Sequence, residues 1–221
     1  MPRTESRYRL IVFDWDGTLV DSASAIVECI QQASRDMRLE VPDRDTASHV
    51  IGLGLHDALS FAVPGLQRAQ YMEFVAHYRR HFLGREEAMT LFPGVSELIV
   101  ALRERGHQLA VATGKSRQGL ERALEVSGLR AHFDATRCAD ETHPKPHPAM
   151  LLELLEELAL VPAQALMIGD TSHDLEMAKS AQVDAIAVTY GAHPEARLRD
   201  LRPLAVATSV EELSSWLTRH A

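Results

Sequence analysis

Residues 9–18 constrain the fold of this chain more than any other segment. Residues 10–13 form a short apolar run, and two carboxylates, Asp14 and Asp16, follow it directly before a Gly-Thr turn. Such a run is typical of a strand buried in a parallel sheet, whose carboxyl end is where α/β folds bind their ligands. Because side chains two positions apart share one face of a strand, Asp14 and Asp16 start as neighbours. Their mutual repulsion calls for a cation, a shared proton or a divergence of the backbone.

Two kinds of chemistry satisfy that requirement. Mg²⁺ prefers oxygen ligands such as carboxylates, and a pair of carboxylates also suits a division of labour between a nucleophile and an acid/base. The alternative is a strand that simply ends in a turn, because Asp and Gly are common turn residues.

Short apolar runs recur along the chain, and segments with helical periodicity separate them. The further runs span residues 109–112, 165–168 and 185–188, with a weaker candidate at 133–138. Helices with recognisable ends are predicted at residues 95–104, 118–126, 149–159 and 210–217. This alternation predicts an α/β fold with a Rossmann-like, doubly wound parallel sheet.

Residues 22 to about 88 interrupt the alternation. Their apolar residues are spaced by three and four, and they contain no convincing strand. We therefore predict a small, all-helical cap domain at residues 21–88, inserted into an α/β core domain formed by residues 1–20 and 89–221. A cap inserted after the first strand would lie above the carboxyl edge of the sheet as a lid.

The composition limits the classes of partner. The 221 residues are 46% hydrophobic and 24% charged, as is usual for a globular protein. The formal net charge of −8 argues against binding to nucleic acid or to an anionic membrane. No apolar run reaches the ~18–20 residues of a membrane span, and neither a signal peptide nor a disulfide framework is recognisable. We therefore expect a cytoplasmic protein with a small-molecule partner; the oligomeric state is not predicted.

Chemically useful side chains follow the predicted strands. The second strand leads into Thr113 and Gly114, where a hydroxyl and amides form either a phosphate cradle or a helix cap. Lys145 stands between prolines that restrict its backbone, in a turn that a solvated lysine would also suit. Another strand ends at Asp170, itself a possible helix cap, and Asp174 follows on the first turn of a predicted helix. Since all these endings fall at one edge of one sheet, we expect them to form one site.

Taken in order, these motifs resemble those of the haloacid dehalogenase-like hydrolases, specifically the Mg²⁺-dependent phosphatases with a small helical cap. The resemblance rests on residues 14–20 (Asp-Trp-Asp-Gly-Thr-Leu-Val), Thr113, Lys145 and the Gly-Asp-x-x-x-Asp pattern of residues 169–174. Two further phrases resemble the phosphoglycolate phosphatase branch: Phe-Pro-Gly-Val at residues 92–95 and Lys-Pro-His-Pro at residues 145–148. The match extends over residues 7–192.

The resemblance implies catalytic roles for three residues. Asp14 would attack phosphorus and form an aspartyl-phosphate. Asp16 would protonate the leaving alcohol and then deprotonate the water that hydrolyses the intermediate. Lys145 would bind the phosphate and neutralise charge beside Asp14.

The resemblance also implies how the phosphate and the metal are held. Thr113 and the amides of Trp15 and Gly114 would bind the phosphoryl oxygens. Mg²⁺ would be held by a carboxylate oxygen of Asp14, the main-chain carbonyl of Asp16 and Asp170, together with phosphate and waters. Asp174 would act from outside this ligand set, orienting a metal-bound water or Lys145.

The substrate is less well defined than the reaction. The resemblance makes 2-phosphoglycolate the first expectation, with pyrophosphate and nucleoside monophosphates as alternatives. A β-phosphoglucomutase-like phosphotransferase would share every core motif. A dehalogenase needs neither Asp16 nor the pair Asp170 and Asp174, and a phosphonate hydrolase needs a cap lysine, which residues 22–88 lack. A catalytically silent protein on this scaffold would have lost at least one of these positions, and none is lost.

Overall fold

Six parallel strands form one sheet at the centre of the molecule. The computed structural model describes residues 7–85 and 89–221. The strands are β1 (Leu10–Phe13), β2 (Gln108–Thr113), β3 (Ala135–Cys138), β4 (Ala165–Gly169), β5 (Asp184–Val188) and β6 (Ala205–Ala207). Their order is β3-β2-β1-β4-β5-β6, with every neighbouring pair parallel. This confirms the predicted α/β fold with a doubly wound parallel sheet.

The central strand, β1, is apolar on both faces because helices cover both sides of the sheet. All four of its residues are fully buried. Ile11 and Phe13 pack in one apolar cluster, whereas Leu10 and Val12 pack in a second one. Since successive side chains of a strand point to opposite faces, the two clusters form the two layers of the core.

Six of the described α-helices accompany the sheet: five lie in the connections between successive strands, and the sixth follows β6. They are α5 (Val95–Glu104), α6 (Arg117–Ser127), α7 (Ala149–Glu157), α8 (Ser172–Ser180), α9 (Glu195–Asp200) and α10 (Val210–His220). The predicted helices α5, α6, α7 and α10 are confirmed, with ends that differ by at most a few residues. The short strand β6 and the short helix α9 were not predicted.

Among the described residues, four α-helices lie between β1 and α5. They are α1 (Ala23–Asp36), α2 (Arg44–His49), α3 (Leu55–Ala62) and α4 (Tyr71–Leu83). Their apolar faces form a cluster of their own, which includes Ile30, Leu59 and Phe74. We call residues 23–83 the cap segment. The domain limits at residues 20/21 and 88/89 stay a prediction, and residues 1–6 and 86–88 lie outside the described residues.

Histidine rings join the cap segment to the sheet side of the molecule. The main-chain carbonyl of His49, the last residue of α2, accepts hydrogen bonds from Nε2 of His173 at 2.7 Å and of His193 at 3.1 Å. Arg197 donates to Nδ1 of His49 at 2.9 Å. These bonds fix the end of α2 against the residues that follow β4 and β5.

In the described ranges, no helix is both long enough and apolar enough to cross a membrane.

Candidate active site

The predicted site residues meet at the carboxyl edge of the sheet. Phe13 of β1 pairs in register with Val111 of β2 and with Ile168 of β4. The residues that follow these positions therefore emerge side by side. Asp14, Thr113 and Asp170 are each at most 1% exposed, so the strand ends bring buried polar groups together as the sequence predicts.

Lys145 occupies the centre of this group. Its ammonium nitrogen lies 2.7 Å from Oδ1 of Asp14 and 2.7 Å from Oδ1 of Asp174, and none of the three side chains is more than 1% exposed. Burial alone lowers the pKa of Lys145, but the two carboxylates outweigh it and raise that pKa above its ordinary value. Lys145 therefore carries a permanent positive charge in the interior, and it is not a solvated loop lysine.

Asp14 keeps one carboxylate oxygen without a partner. Burial, together with the smaller effect of the Asp174 charge, raises its pKa to about 7 despite the opposing effect of Lys145. Oδ1 faces Lys145, whereas Oδ2 has no hydrogen bond or ion pair among the described residues. A buried carboxylate oxygen with no partner is costly, so it marks a position where a ligand belongs.

Asp170 is held by two donors and by close glycines. The hydroxyl of Thr18 donates to Oδ1 at 2.7 Å, and the amide of Ala192 donates to Oδ2 at 2.7 Å. Gly17 has a φ of +80°, and a Cβ atom there would overlap the Asp170 carboxylate. Burial raises the pKa of Asp170 well above its ordinary value, and the charge of Asp14 raises it further. The Gly-Thr turn after Asp16 is thus shaped to admit this carboxylate.

Asp14, Asp170 and Asp174 could hold a metal ion together. Carboxylate oxygens of the three residues lie within 4.8 Å of one another, and all three residues are buried. A donor set made only of oxygens suits a hard cation such as Mg²⁺, and the unpartnered Oδ2 of Asp14 leaves room for one. The residues present therefore fit a divalent cation.

Asp174 has a structural role besides its place in this cluster. Helix α8 begins after Thr171, whose hydroxyl accepts a hydrogen bond from the Asp174 amide at 3.3 Å. In return, the Thr171 amide and hydroxyl donate to Oδ2 of Asp174 at 3.0 and 2.7 Å. This capping box fixes the carboxylate that faces Lys145. The cap residue is Thr171, so Asp170 is not the helix cap that the sequence left open.

Asp16 faces a different set of partners. The hydroxyl of Ser22 donates to Oδ1 at 2.8 Å, and the ammonium of Lys115 lies 3.0 Å from Oδ2. The two carboxylates that adjoin in sequence are therefore each paired with their own lysine, Asp14 with Lys145 and Asp16 with Lys115. Sequence reasoning did not assign a role to Lys115, although it lies directly after the predicted phosphate cradle.

The predicted phosphate cradle has free donors. The main-chain amides of Trp15 and Gly114 donate no hydrogen bond within the described parts of the chain. Gly114 also lies against the loop between α2 and α3, because a Cβ atom there would be 2.6 Å from the carbonyl oxygen of Gly52. The Trp15 ring is buried and meets Phe133 edge-on, so the side chain packs in the core.

Comparison with known proteins agrees with this geometry. The family model described as haloacid dehalogenase-like hydrolase matches residues 11–188. The chain is 38% identical to the probable phosphatase IndB of Dickeya dadantii over 92% of its own length and 91% of that protein. It is 31% identical to the phosphoglycolate phosphatase of Aquifex aeolicus over 83% and 85% of the two chains. The crystal structure of a predicted phosphatase from Clostridium acetobutylicum superimposes with a TM-score of 0.85 at 25% identity, over 97% and 100% of the two chains. The chain belongs to the haloacid dehalogenase-like hydrolases.

Proposed function

We propose that the protein is a Mg²⁺-dependent phosphatase that hydrolyses a small phosphomonoester through an aspartyl-phosphate on Asp14. The observation that carries this proposal is the unpartnered, buried Oδ2 of Asp14 beside Lys145, Asp170 and Asp174. A carboxylate oxygen that is shielded from water and close to fixed positive charge is well suited to nucleophilic attack on phosphorus. The relatives named phosphatases support the same reaction class.

In the first step, an oxygen of Asp14 bonds to phosphorus as the bond from phosphorus to the ester oxygen breaks. The leaving alkoxide takes a proton from the carboxyl group of Asp16. Lys145 and the free amides of Trp15 and Gly114 stabilise the charge on the phosphoryl oxygens, with the Thr113 hydroxyl as a further donor.

In the second step, the Asp16 carboxylate removes a proton from water. The resulting hydroxide bonds to phosphorus, and the bond from phosphorus to Asp14 breaks. Inorganic phosphate leaves, Asp14 returns as a carboxylate, and Asp16 is protonated again for the next cycle.

The chain offers ligands for the metal at the same edge. A carboxylate oxygen of Asp14, the main-chain carbonyl of Asp16 and Asp170 would hold Mg²⁺, and Asp174 would hold Lys145 in place. When bound, the ion supplies positive charge that offsets these carboxylates and polarises the phosphoryl group.

The partner in this proposal is a small phosphorylated metabolite in the cytoplasm. The resemblance favours 2-phosphoglycolate as the first compound to assay, and the Aquifex relative bears that name. Pyrophosphate, nucleoside monophosphates and a phosphotransfer between sugar positions are the alternatives to include in the same panel.

Phosphate release from 4-nitrophenyl phosphate tests the proposal. We expect Mg²⁺-dependent turnover that EDTA removes and that Asp14→Asn abolishes. Asp21→Asn is the matched control, because Asp21 is exposed and lies seven residues further along the chain. Appreciable activity in Asp14→Asn, or activity that survives EDTA, would contradict the proposal.

A further inference from the structure

A cavity of about 450 Å³ joins the candidate active site to the cap segment. We call it the cap cavity. Asp14, Asp16, Thr113 and Lys115 line it on the sheet side. Helices α1, α3 and α4 contribute much of the remaining wall through Ile26, Ile30, Ala58, Leu59, Tyr78 and Phe82.

The apolar part of this wall comes from one stretch of the chain. Every apolar residue of the lining falls between Ile26 and Leu83, whereas the sheet side contributes only polar residues and glycines. Leu55 and Leu83 remain 51% and 48% exposed, although both belong to the lining. Exposed aliphatic groups around a concave site are typical of a surface that a ligand covers.

Tyr78 and Phe82 connect the apolar wall to the reacting carboxylates. Their rings stack with centroids 5.6 Å apart. The Lys115 ammonium, which pairs with Asp16, lies 4.9 Å from the centre of the Phe82 ring. The apolar wall therefore begins directly beside Asp16.

The size and polarity of the cap cavity suit a larger group than that of a two-carbon acid. Cavities of roughly 300–1,000 Å³ hold drug-sized ligands, and water against an apolar wall is unfavourable. The carboxylate of a small acid would need a cation, and the lysine nearest to Asp16 is already paired with it. Arg79 and Arg122 also line the cavity. Because these two arginines could pair with the carboxylate of a small acid, the test compares substrates of the same size with and without a carboxylate.

We infer that the preferred substrate is a phosphomonoester whose organic group is bulky and apolar, an aryl or long alkyl group that fills the cap cavity while the phosphate lies at Asp14. This inference rests on the proposed function, because it takes the phosphate to be bound there. The sheet side then binds the anionic part of the substrate, and the cap segment recognises the alcohol.

A series of ethyl, butyl and hexyl phosphate tests the inference, because these leaving alcohols have similar acidity. We expect kcat/KM to rise along the series by up to about fourfold per buried methylene, and by at least about tenfold overall. 2-Phosphoglycolate has the two-carbon skeleton of ethyl phosphate with a carboxylate in place of the methyl group, so this pair compares a charged group with an apolar one at nearly the same size. A flat or falling series, or a higher kcat/KM for 2-phosphoglycolate than for hexyl phosphate, overturns the inference.

A variant that fills the cavity provides the second measurement. Ala58 lines the cap cavity on α3, whereas Ala76 is exposed on α4 and is not part of the lining. Ala58→Phe should reduce the hexyl-to-ethyl ratio of kcat/KM at least about fivefold, since the ring occupies the space of several methylenes. Ala76→Phe should keep the ratio of the unmodified protein. An unchanged ratio in Ala58→Phe counts against the inference.

Binding of alkylphosphonates separates this inference from the proposed function. These compounds have no ester bond to hydrolyse, so calorimetry with ethyl- and hexylphosphonate in Mg²⁺ measures recognition alone. Tighter binding of hexylphosphonate without hydrolysis of any ester would reject the phosphatase and support the apolar cavity. Hydrolysis of the esters with equal binding of both phosphonates would support the phosphatase and reject recognition by the apolar cavity.

Discussion

At the scale of single residues, Lys145 is the group that makes the buried acidic cluster possible. Its ammonium contacts both Asp14 and Asp174 at 2.7 Å, out of reach of solvent. Removing one partner from a buried set of charges leaves the others uncompensated. The same contact aligns Asp14 for the proposed attack, so stability and activity depend on one side chain.

Lys145→Met should lower the free energy of unfolding by roughly 3–5 kcal/mol, because two buried carboxylates lose their counter-charge. Urea unfolding in EDTA measures this without any metal contribution. Lys179→Met is the control, because Lys179 is exposed in the last turn of α8, and we expect it to change stability by less than about 0.5 kcal/mol. Equal effects of the two variants would show that Lys145 is not needed to balance charge.

Asp16→Asn should lower kcat by about 10²–10⁴-fold with an alkyl phosphate, because the alcohol leaves without a proton donor. The loss in the first step should be smaller with 4-nitrophenyl phosphate, whose leaving group needs little protonation. Rapid-quench measurement of phosphoprotein formation separates the two steps. An equal loss of first-step rate with both esters would contradict the acid/base role.

The sequence predicted which residues would lie close together, but not which lysine would pair with each aspartate. Asp14, Asp170, Asp174 and Lys145 were foreseen, because each follows a strand or stands between prolines. Lys115 was not, because a lysine after a Thr-Gly pair carries no distinctive pattern. Its contact with Asp16 depends on where the chain turns after β2, which only the folded backbone determines.

At the scale of secondary-structure elements, the start of α8 links helix stability to the site. Thr171 caps the helix and donates two hydrogen bonds to Asp174. A cap residue contributes typically about 1 kcal/mol. Here the cap also sets the orientation of a carboxylate in the candidate metal cluster.

Thr171→Ala should lower stability by about 1 kcal/mol and should also weaken Mg²⁺ binding, because Asp174 loses the Thr171 hydroxyl. Thr171→Ser should restore both. Ser209→Ala removes the comparable cap of α10, whose side chain accepts from the Glu212 amide at 3.2 Å. It should lower stability equally and leave Mg²⁺ affinity unchanged. Isothermal titration with Mg²⁺ makes the comparison, and equal affinities in Thr171→Ala and Ser209→Ala would refute the link.

The elements that sequence patterns missed are the shortest ones. β6 has three residues, and α9 has six. Neither is long enough to display a period of its own, so packing against β5 and α8 decides their conformation. By contrast, β1 and β4 are continuous apolar runs, and α5 and α6 end at glycines, so local sequence was sufficient.

At the scale of the whole molecule, His49 lies where the cap segment contacts the residues after β4 and β5, and its protonation makes the stability of the fold depend on pH. Burial, together with smaller effects of Arg197 and His173, lowers the pKa of His49 to about 4. The ring also faces Phe61 and His193. An unfolded chain would bind a proton at this residue near pH 6.5, whereas the folded chain does so only near pH 4.

Between these two pH values the unfolded state binds more protons, so stability falls as the pH falls. Because His49 is only partly buried, solvent screens the effect, and we expect its share of the loss between pH 7 and pH 5 to be about 1 kcal/mol. His49→Gln should therefore lose less stability than the unmodified protein over this range. His220→Gln, at an exposed position in α10, should not. Urea midpoints at the two pH values measure the difference, and parallel losses in all three proteins would contradict it.

The wall of the cap cavity comes from two separate parts of the chain, and this has a consequence for how substrate preference can evolve. The carboxylates and lysines of the site come from the strand ends, whereas every apolar residue of the cavity wall comes from one uninterrupted stretch between β1 and α5. If the cap cavity binds the alcohol as we propose, substitutions in that stretch alone would change which alcohol is accepted, while the residues that break the phosphate ester stay the same. Chimaeras that keep one scaffold and replace residues 23–83 offer a practical way to retarget such hydrolases.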